Sequence, residues 1–406
     1  MNPPPRPDLF ARSRIAQKAD DAIAAMWRRG WTKKPPLDPD FLWAEGAKGY
    51  DAADEFSLRS EADVEDFRIR LERLCRSLYD EARLNALGWT MAYGQLKGAI
   101  RRRHALGRLW RMRPELASTK IAAPIIVLGQ MRSGTTRVQR LLAADPRHSG
   151  TRFCDSHDPV PSTPDIRPLK ARATLFLARK VNPWLDTFHP FGPTRTDEEI
   201  GWLAAALSPA SFEAQWHIPG FVAFSEARDP APIYREFARI LRTDAAVHGT
   251  AERPRILKCP QFSEDLLALL KEFPEVRVVH CQREDEATLA SSVSMVASQR
   301  AYQSDVHSPD GLRKEWERKM ARREDASAQA LSDSDCPIAT LSFQDLNERP
   351  HEALRRAYAD IGLTYDDSAR NAVARELALA EKEHHRKHRK QIARLAPQLR
   401  GSKSYP

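Results

Sequence analysis

The sequence predicts an α/β fold: a parallel sheet flanked by helices, with an N-terminal helical region ahead of it. Three observations support this. Short apolar runs at residues 125–128, 255–259, 276–281 and 338–342 alternate with amphipathic helical patterns, as in strands joined by right-handed crossovers. The first run passes through a glycine-bounded polar loop directly into a helical pattern. Upstream of every run, residues 58–113 carry apolar positions near helical spacing, among them Phe67, Leu71, Leu74 and Leu78.

Residues 1–57 are rich in proline and charge (Pro3, Pro4, Pro5, then Lys33, Lys34, Pro35, Pro36) and are expected to form a partly ordered lead-in, with one helical piece near residues 15–27. The N-terminal helical region spans 58–120. Its basic run of Arg101, Arg102, Arg103, His104, Arg108, Arg111 and Arg113 reads as a solvated helix face, with a nucleic-acid or lipid-headgroup patch as the alternative. The α/β domain takes residues 121–365. Within it a proline-rich stretch at 154–168 precedes helices expected near 168–181, 196–207 and 231–247, which intervene between core strands and wall a site. Further helices are expected at 263–272, 286–300, 310–330 and 350–361. Residues 366–406 read as a charged helical tail. Its His384, His385 and His388 form only a weak metal-binding pattern.

The bulk numbers narrow the class. With 406 residues, 42% hydrophobic and 29% charged, the chain has the composition of a soluble globular protein with one large domain and an accessory region. A net charge of +9 favours anionic ligands. Cys75, Cys154, Cys259, Cys281 and Cys336 include no C-x-x-C pair and read as reduced thiols in a cytoplasmic chain. No apolar run is long enough for a membrane span, and the N-terminus lacks a signal-peptide region.

The loop from Gly129 to Gly134 carries the chemistry. An apolar strand, a G-x-x-x-x-G loop and a helix starting at Thr135 make a phosphate cradle, with loop N–H groups and the helix N-terminus facing one point. The spacing is that of a P-loop. Thr135 and Thr136 follow where a nucleotide-triphosphate site has Lys-Ser/Thr, and the cation has moved into the loop as Arg132. The stretch Arg132-Ser133-Gly134-Thr135-Thr136 resembles the 5′-phosphosulfate loop of sulfotransferases that use 3′-phosphoadenosine 5′-phosphosulfate. The likeness runs over roughly residues 60–365 and points to a bacterial branch with a helical N-terminal region. It is specific at the donor motifs and loose elsewhere.

The resemblance assigns further residues. Arg283, just past a strand, and Ser291, eight residues on, match the family's pair for the donor's 3′-phosphate, although Glu284 and Asp285 replace the usual Asp-Pro. A forked, permanently charged guanidinium and a hydroxyl suit a dianion. Lys258, before Cys259 and Pro260, resembles the Leu-Lys-x-Pro element. With Arg132 it is implied to stabilise charge on the leaving phosphate. For the base that takes the acceptor's proton, Asp155 stands where the family often has the glutamate of Trp-Glu, with His189, His157 and Asp158 as rivals. His189 lies ahead of the pair Glu198 and Glu199. The glycine-rich adenine-side motif of the vertebrate cytosolic enzymes is absent.

The implied activity is metal-free transfer of a sulfuryl group to a hydroxyl or amine of a small-molecule, carbohydrate or lipid acceptor, with no nucleic-acid partner. Two other classes stay open: a P-loop kinase with a degenerate loop, and a non-catalytic polyanion-binding module. The acceptor, the adenine contacts and the oligomeric state are not specified by the sequence.

Overall fold

The computed structural model describes residues 4–381 together with Leu395 and Leu399. The tail histidines 384, 385 and 388 lie outside the described residues. Five strands form one parallel sheet: β1 (Ile125–Leu128), β2 (Ser149–Gly150), β3 (Arg255–Leu257), β4 (Arg277–Gln282) and β5 (Ile338–Ser342), in the order β2-β3-β1-β4-β5. β1 is central, pairing Ile126 with Leu257 on one side and with Val278 on the other. All four β1 residues are buried, as a strand covered on both faces requires.

Alternation along β1 sends its side chains into two cores. Ile126 and Leu128 join Leu257, Val278, Phe237 and Phe262, under helices Ala231–Val247 and Phe262–Glu272. Ile125 and Val127 join Val279, Leu341, Leu354 and Tyr358, under helices Thr135–Ala143 and Pro350–Asp360. The expected strands and core helices are present, most within one or two residues of their expected ends. β2, only two residues long, carried no apolar run and was not anticipated. The helix expected over 196–207 is shorter, Ile200–Ala205, because Thr196 and Asp197 pair with Arg152 and Thr151 ahead of it.

Residues 4–57, expected to be a partly ordered lead-in, carry helices Arg14–Arg28, Pro39–Ala47 and Ala52–Phe56, started by Ser13, Asp38 and a capping box at Asp51. They pack on the long helix Ala86–Met112, with Leu42 in the same apolar cluster as Leu96 and Ile100. Several arginines of the basic run on that helix are paired with carboxylates. Arg103 pairs with Glu55 at 2.7 Å, Arg108 with Asp54 at 3.1 Å and Arg111 with Asp54 at 2.8 Å. Arg101, Arg111 and Arg113 remain on an exposed face, as expected, whereas Arg103 and His104 are buried.

Helices Ala52–Phe56 and Ala86–Met112 approach closely only because position 107 is glycine. A Cβ there would lie 1.6 Å from the Asp54 carbonyl oxygen, so backbone would have to move. Gly107→Ala is expected to destabilise the fold by about 3 kcal/mol through overpacking, read as a lower urea midpoint at unchanged slope. A loss under about 0.5 kcal/mol, the range of neutral surface changes, would contradict this packing.

Candidate active site

The C-terminal ends of all five strands open on one side of the sheet, and the expected donor residues sit there. Gly129, Arg132 and Gly134 have φ of 141°, 72° and 96°. Two positions need glycine for space as well: a Cβ at 129 would meet the Cys281 carbonyl oxygen at 2.6 Å, and one at 134 the Phe343 ring at 2.8 Å. Arg132 takes its left-handed conformation without that freedom, a local strain of the kind found at ligand clamps. Ser133 is buried and closes the turn, its Oγ donating to the Gln130 carbonyl at 2.7 Å. Among the described residues, the N–H groups of Gly134, Thr135 and Thr136 have no backbone acceptor, which leaves the orphan donors of a helix N-terminus at the loop.

Three cations and a serine surround this cradle. Arg132 Nε donates to Ser291 Oγ at 3.0 Å, and its guanidinium also bonds the Phe188 carbonyl. Arg283 donates to the Arg132 carbonyl at 2.7 Å and lies over the Phe343 ring at 4.4 Å. Burial, then the neighbouring charge of Arg283, lower Arg132 to about 10, so it remains a cation at neutral pH. Lys258, at the end of β3, is buried; its backbone N–H donates to Glu199 at 2.8 Å and its ammonium pairs with Glu198. Arg132, Arg283 and Ser291 thus meet directly, and Lys258 is linked to them through Glu198, which pairs with its ammonium and acts on Arg132.

The helix of the loop also holds the acidic segment Asp197-Glu198-Glu199. Gln139 donates to the Asp197 carbonyl at 2.9 Å and Arg140 to the Thr196 carbonyl at 3.0 Å, while the Asp197 N–H bonds the Thr151 carbonyl at 2.8 Å. Asp197 in turn contacts His189 Nε2 at 3.0 Å. Burial raises the Asp197 carboxyl, but His189 and Arg140 outweigh it and bring it down to about 2. His189 stacks on Phe191 at 4.3 Å and directly follows Phe188, the residue whose carbonyl Arg132 grips. A ring fixed by a carboxylate on one nitrogen and set beside the cradle has the arrangement of an oriented base.

Asp155 is placed differently. It is buried at 1% exposure, with Arg152 at 2.8 Å, Arg167 at 3.1 Å and His248 at 3.3 Å. Burial raises its carboxyl, yet His248, Arg152 and Arg167 together hold it well below the usual carboxylate range. Its role in the fold is an ion-pair clamp that anchors helix Phe153–His157 to helix Arg167–Val181. Asp155, Asp244 and His248 come close enough to share a cation, but Arg152, Arg167 and Arg255 already neutralise both carboxylates.

Sequence reasoning did not give roles to Asp197, Glu198 or Phe343. For Asp197 and Glu198 the available signal was three consecutive acids soon after His189. For Phe343 it was an aromatic directly after an apolar strand. A cavity of about 750 Å³ lined by Ile121, Pro124, Arg239 and Phe273 lies at the opposite, N-terminal end of the strands, away from the cradle.

A strand-loop-helix anion cradle, with cations from adjacent strand ends, defines a P-loop-like transferase site. A family model described as the Sulfotransferase family matches residues 124–367, more than half of the chain. The chain belongs to the sulfotransferase family. It is similar over 89% of its length to all of the sulfotransferase STF1 of Mycobacterium tuberculosis H37Rv, at 25% identity and a TM-score of 0.76. The sulfotransferase STF9 of Mycobacterium avium shares the fold, with 84% of this chain aligned to 87% of that one at 18% identity and a TM-score of 0.74. Comparison with curated proteins returned no match.

Glu199 gives the site a pH dependence. Burial pushes its carboxyl from 4.5 up to about 8, against the Lys258 N–H, the Thr151 hydroxyl and Arg255. Between those values the folded chain holds a proton that the unfolded chain has released, so stability falls as pH rises through this window. Glu199→Gln is therefore expected to gain stability relative to the parent between about pH 4.5 and 8 and to level off above it. Denaturant titrations at a series of pH values read this directly; a difference independent of pH would show that Glu199 is ionised throughout.

Proposed function

We propose that this protein transfers the sulfuryl group of 3′-phosphoadenosine 5′-phosphosulfate to a hydroxyl or amine of an acceptor. The observation that carries the reading is the meeting of Arg132, Arg283 and Ser291 beside loop N–H groups that have no backbone acceptor, with Lys258 linked to them through Glu198. The loop 129–136 would hold the 5′-phosphosulfate, and Arg283 with Ser291 the 3′-phosphate. The glycines support the fit: space at 129 and 134 is already taken by protein, so the backbone itself lines the cradle.

In this mechanism the acceptor oxygen or nitrogen bonds to sulfur as the bond between sulfur and the bridging phosphate oxygen breaks. Arg132 and Lys258 stabilise the negative charge growing on that oxygen, more in the transition state than before it. Lys258 exchanges Glu198 for the phosphate as it does so. His189, oriented by Asp197, takes the acceptor's proton, and adenosine 3′,5′-bisphosphate departs with the bonding electrons. We assign the base to His189 and a positioning role to Asp155, whose two arginine partners make it a poor proton acceptor. Side-chain cations supply the positive charge, so the proposed transfer uses no metal. The five cysteines are free thiols, which fits a cytoplasmic setting. No helix among the described residues is long and apolar enough to cross a membrane.

The kinase reading loses support because Arg132, not a lysine after Gly134, supplies the loop's cation. The polyanion-module reading loses it because Arg103, Arg108 and Arg111 are engaged by carboxylates. Thermal unfolding tests the proposal. Adenosine 3′,5′-bisphosphate should raise the midpoint without Mg2+, through binding to the folded state alone, whereas stabilisation by Mg2+-ATP only would favour a kinase. Arg283→Ala should weaken the bisphosphate at least about tenfold, the worth of a charge-assisted contact, and leave AMP binding nearly unchanged; equal losses would remove Arg283 from the 3′-phosphate. His189→Ala should lower kcat by about 10²–10⁴ with bisphosphate affinity retained, whereas near-normal turnover would return the base to another group.

A further inference from the structure

Arg102 stands apart from the other arginines of the basic run. Its neighbours Arg103, Arg108 and Arg111 pair with carboxylates, as do Arg59, Arg70, Arg167, Arg255 and Arg323 elsewhere in the interior. Arg102 is half-buried and has no ion pair or side-chain hydrogen bond among the described residues, and its Nε is buried without a partner. Leaving a guanidinium so placed is costly unless something else satisfies it.

Its position gives that cost a use. Arg102 shares a face of helix Ala86–Met112 with Ala99 and Leu106, a turn away on either side. Leu106 packs in the cluster that holds Trp202, with Val160 and Ile200 at its edge. Gly98, one turn earlier, leaves room for the head group: a Cβ there would lie 3.1 Å from Arg102 Nη1. His157 is exposed and lies within electrostatic reach of Arg102, Asp197, Glu198 and His189. The carboxylate that acts on Arg102 from within the protein is Asp158, and Asp158 is already paired with Lys170 at 3.2 Å. A line of contacts therefore links the two regions: His189 stacks on Phe191, Phe191 packs on Phe153, Phe153 on His157, and His157 lies within electrostatic reach of Arg102, which has no ion pair of its own among the described residues.

We propose that Arg102 anchors an acceptor subsite, and that the acceptor carries a carboxylate or phosphate group at the end remote from the hydroxyl or amine that is sulfated. This rests on the sulfuryl-transfer reading for the nature of the reaction. A guanidinium fork matches either oxyanion in two-point contact, and holding the far end of the acceptor orients its nucleophile toward the cradle. It also gives the N-terminal helical region a part in specificity.

The test uses the full chain, the parent and the variants Arg102→Gln and Arg102→Lys, with hydroxy acids each paired with its methyl ester and hydroxyalkyl phosphates each paired with its neutral phosphate triester. Thermal midpoints are measured with and without adenosine 3′,5′-bisphosphate, and transfer is measured from labelled donor. The parent should prefer at least one anionic class over its neutral partner by about tenfold or more in kcat/KM, the worth of a charge-assisted pair. Arg102→Gln should lose that preference, Arg102→Lys keep part of it, and both bind the bisphosphate as the parent does. The acid and phosphate arms tell the two oxyanions apart. Equal responses to charged and neutral partners, or a preference that survives Arg102→Gln, would overturn the subsite. Stabilisation by the anions that depends on Arg102, in a chain that ignores the bisphosphate, would uphold the subsite and remove the donor reading instead.

Discussion

Two side chains on the helix of the phosphate loop, Gln139 and Arg140, hold the backbone at Asp197 and Thr196. The rest of the site depends on this contact. It fixes the segment 196–199 beside Thr151 and Arg152, and from that segment Asp197 turns to His189, Glu198 to Lys258, and Glu199 to the Lys258 backbone. The loop and the acidic segment are therefore one rigid unit, although some sixty residues separate them in the chain. Backbone groups along that segment, from the Thr196 carbonyl to the Glu199 carbonyl, are held by hydrogen bonds, which sets the positions of the carboxylates.

Most of the sheet could be read from the sequence because β-branched runs covered on both faces have few other readings. Ile125 to Leu128 is the clearest case. β2 could not be read: its two residues, Ser149 and Gly150, have no apolar signal, and what makes them a strand is pairing with Arg255 and Ile256. The proline-rich beginning misled for a related reason. The helix Arg14–Arg28 was expected, but Pro39–Ala47 and Ala52–Phe56 are short and pack on Ala86–Met112, which local composition does not encode.

Arg132, Arg283 and Ser291 could be picked out together because their spacing along the chain follows from the geometry of consecutive strand ends, and the fold brings them into contact. The choice of the proposed base could not be made that way, because it depends on which acids meet which cations after folding. Asp155 and His189 offer the same kind of proton chemistry on paper. Arg152 and Arg167 close on the first, whereas Asp197 supports the second from behind. Arg102 was likewise hidden in a run of similar residues, and only the pairing of its neighbours separates it from them.

Phe343 touches two things at once: its ring lies against Gly134 on the loop side and beneath the Arg283 guanidinium at 4.4 Å on the other. An aromatic ring is incompressible and planar, so it acts as a spacer between the loop and the arginine. In the proposed reading, the distance between the two anion-binding points is then a fixed length of the protein. A nucleotide is measured by the separation of its charged groups as well as by their number. If the donor binds as proposed, adenine need contribute nothing to that measurement, and part of the selectivity would rest on a hydrocarbon ring that forms no hydrogen bond.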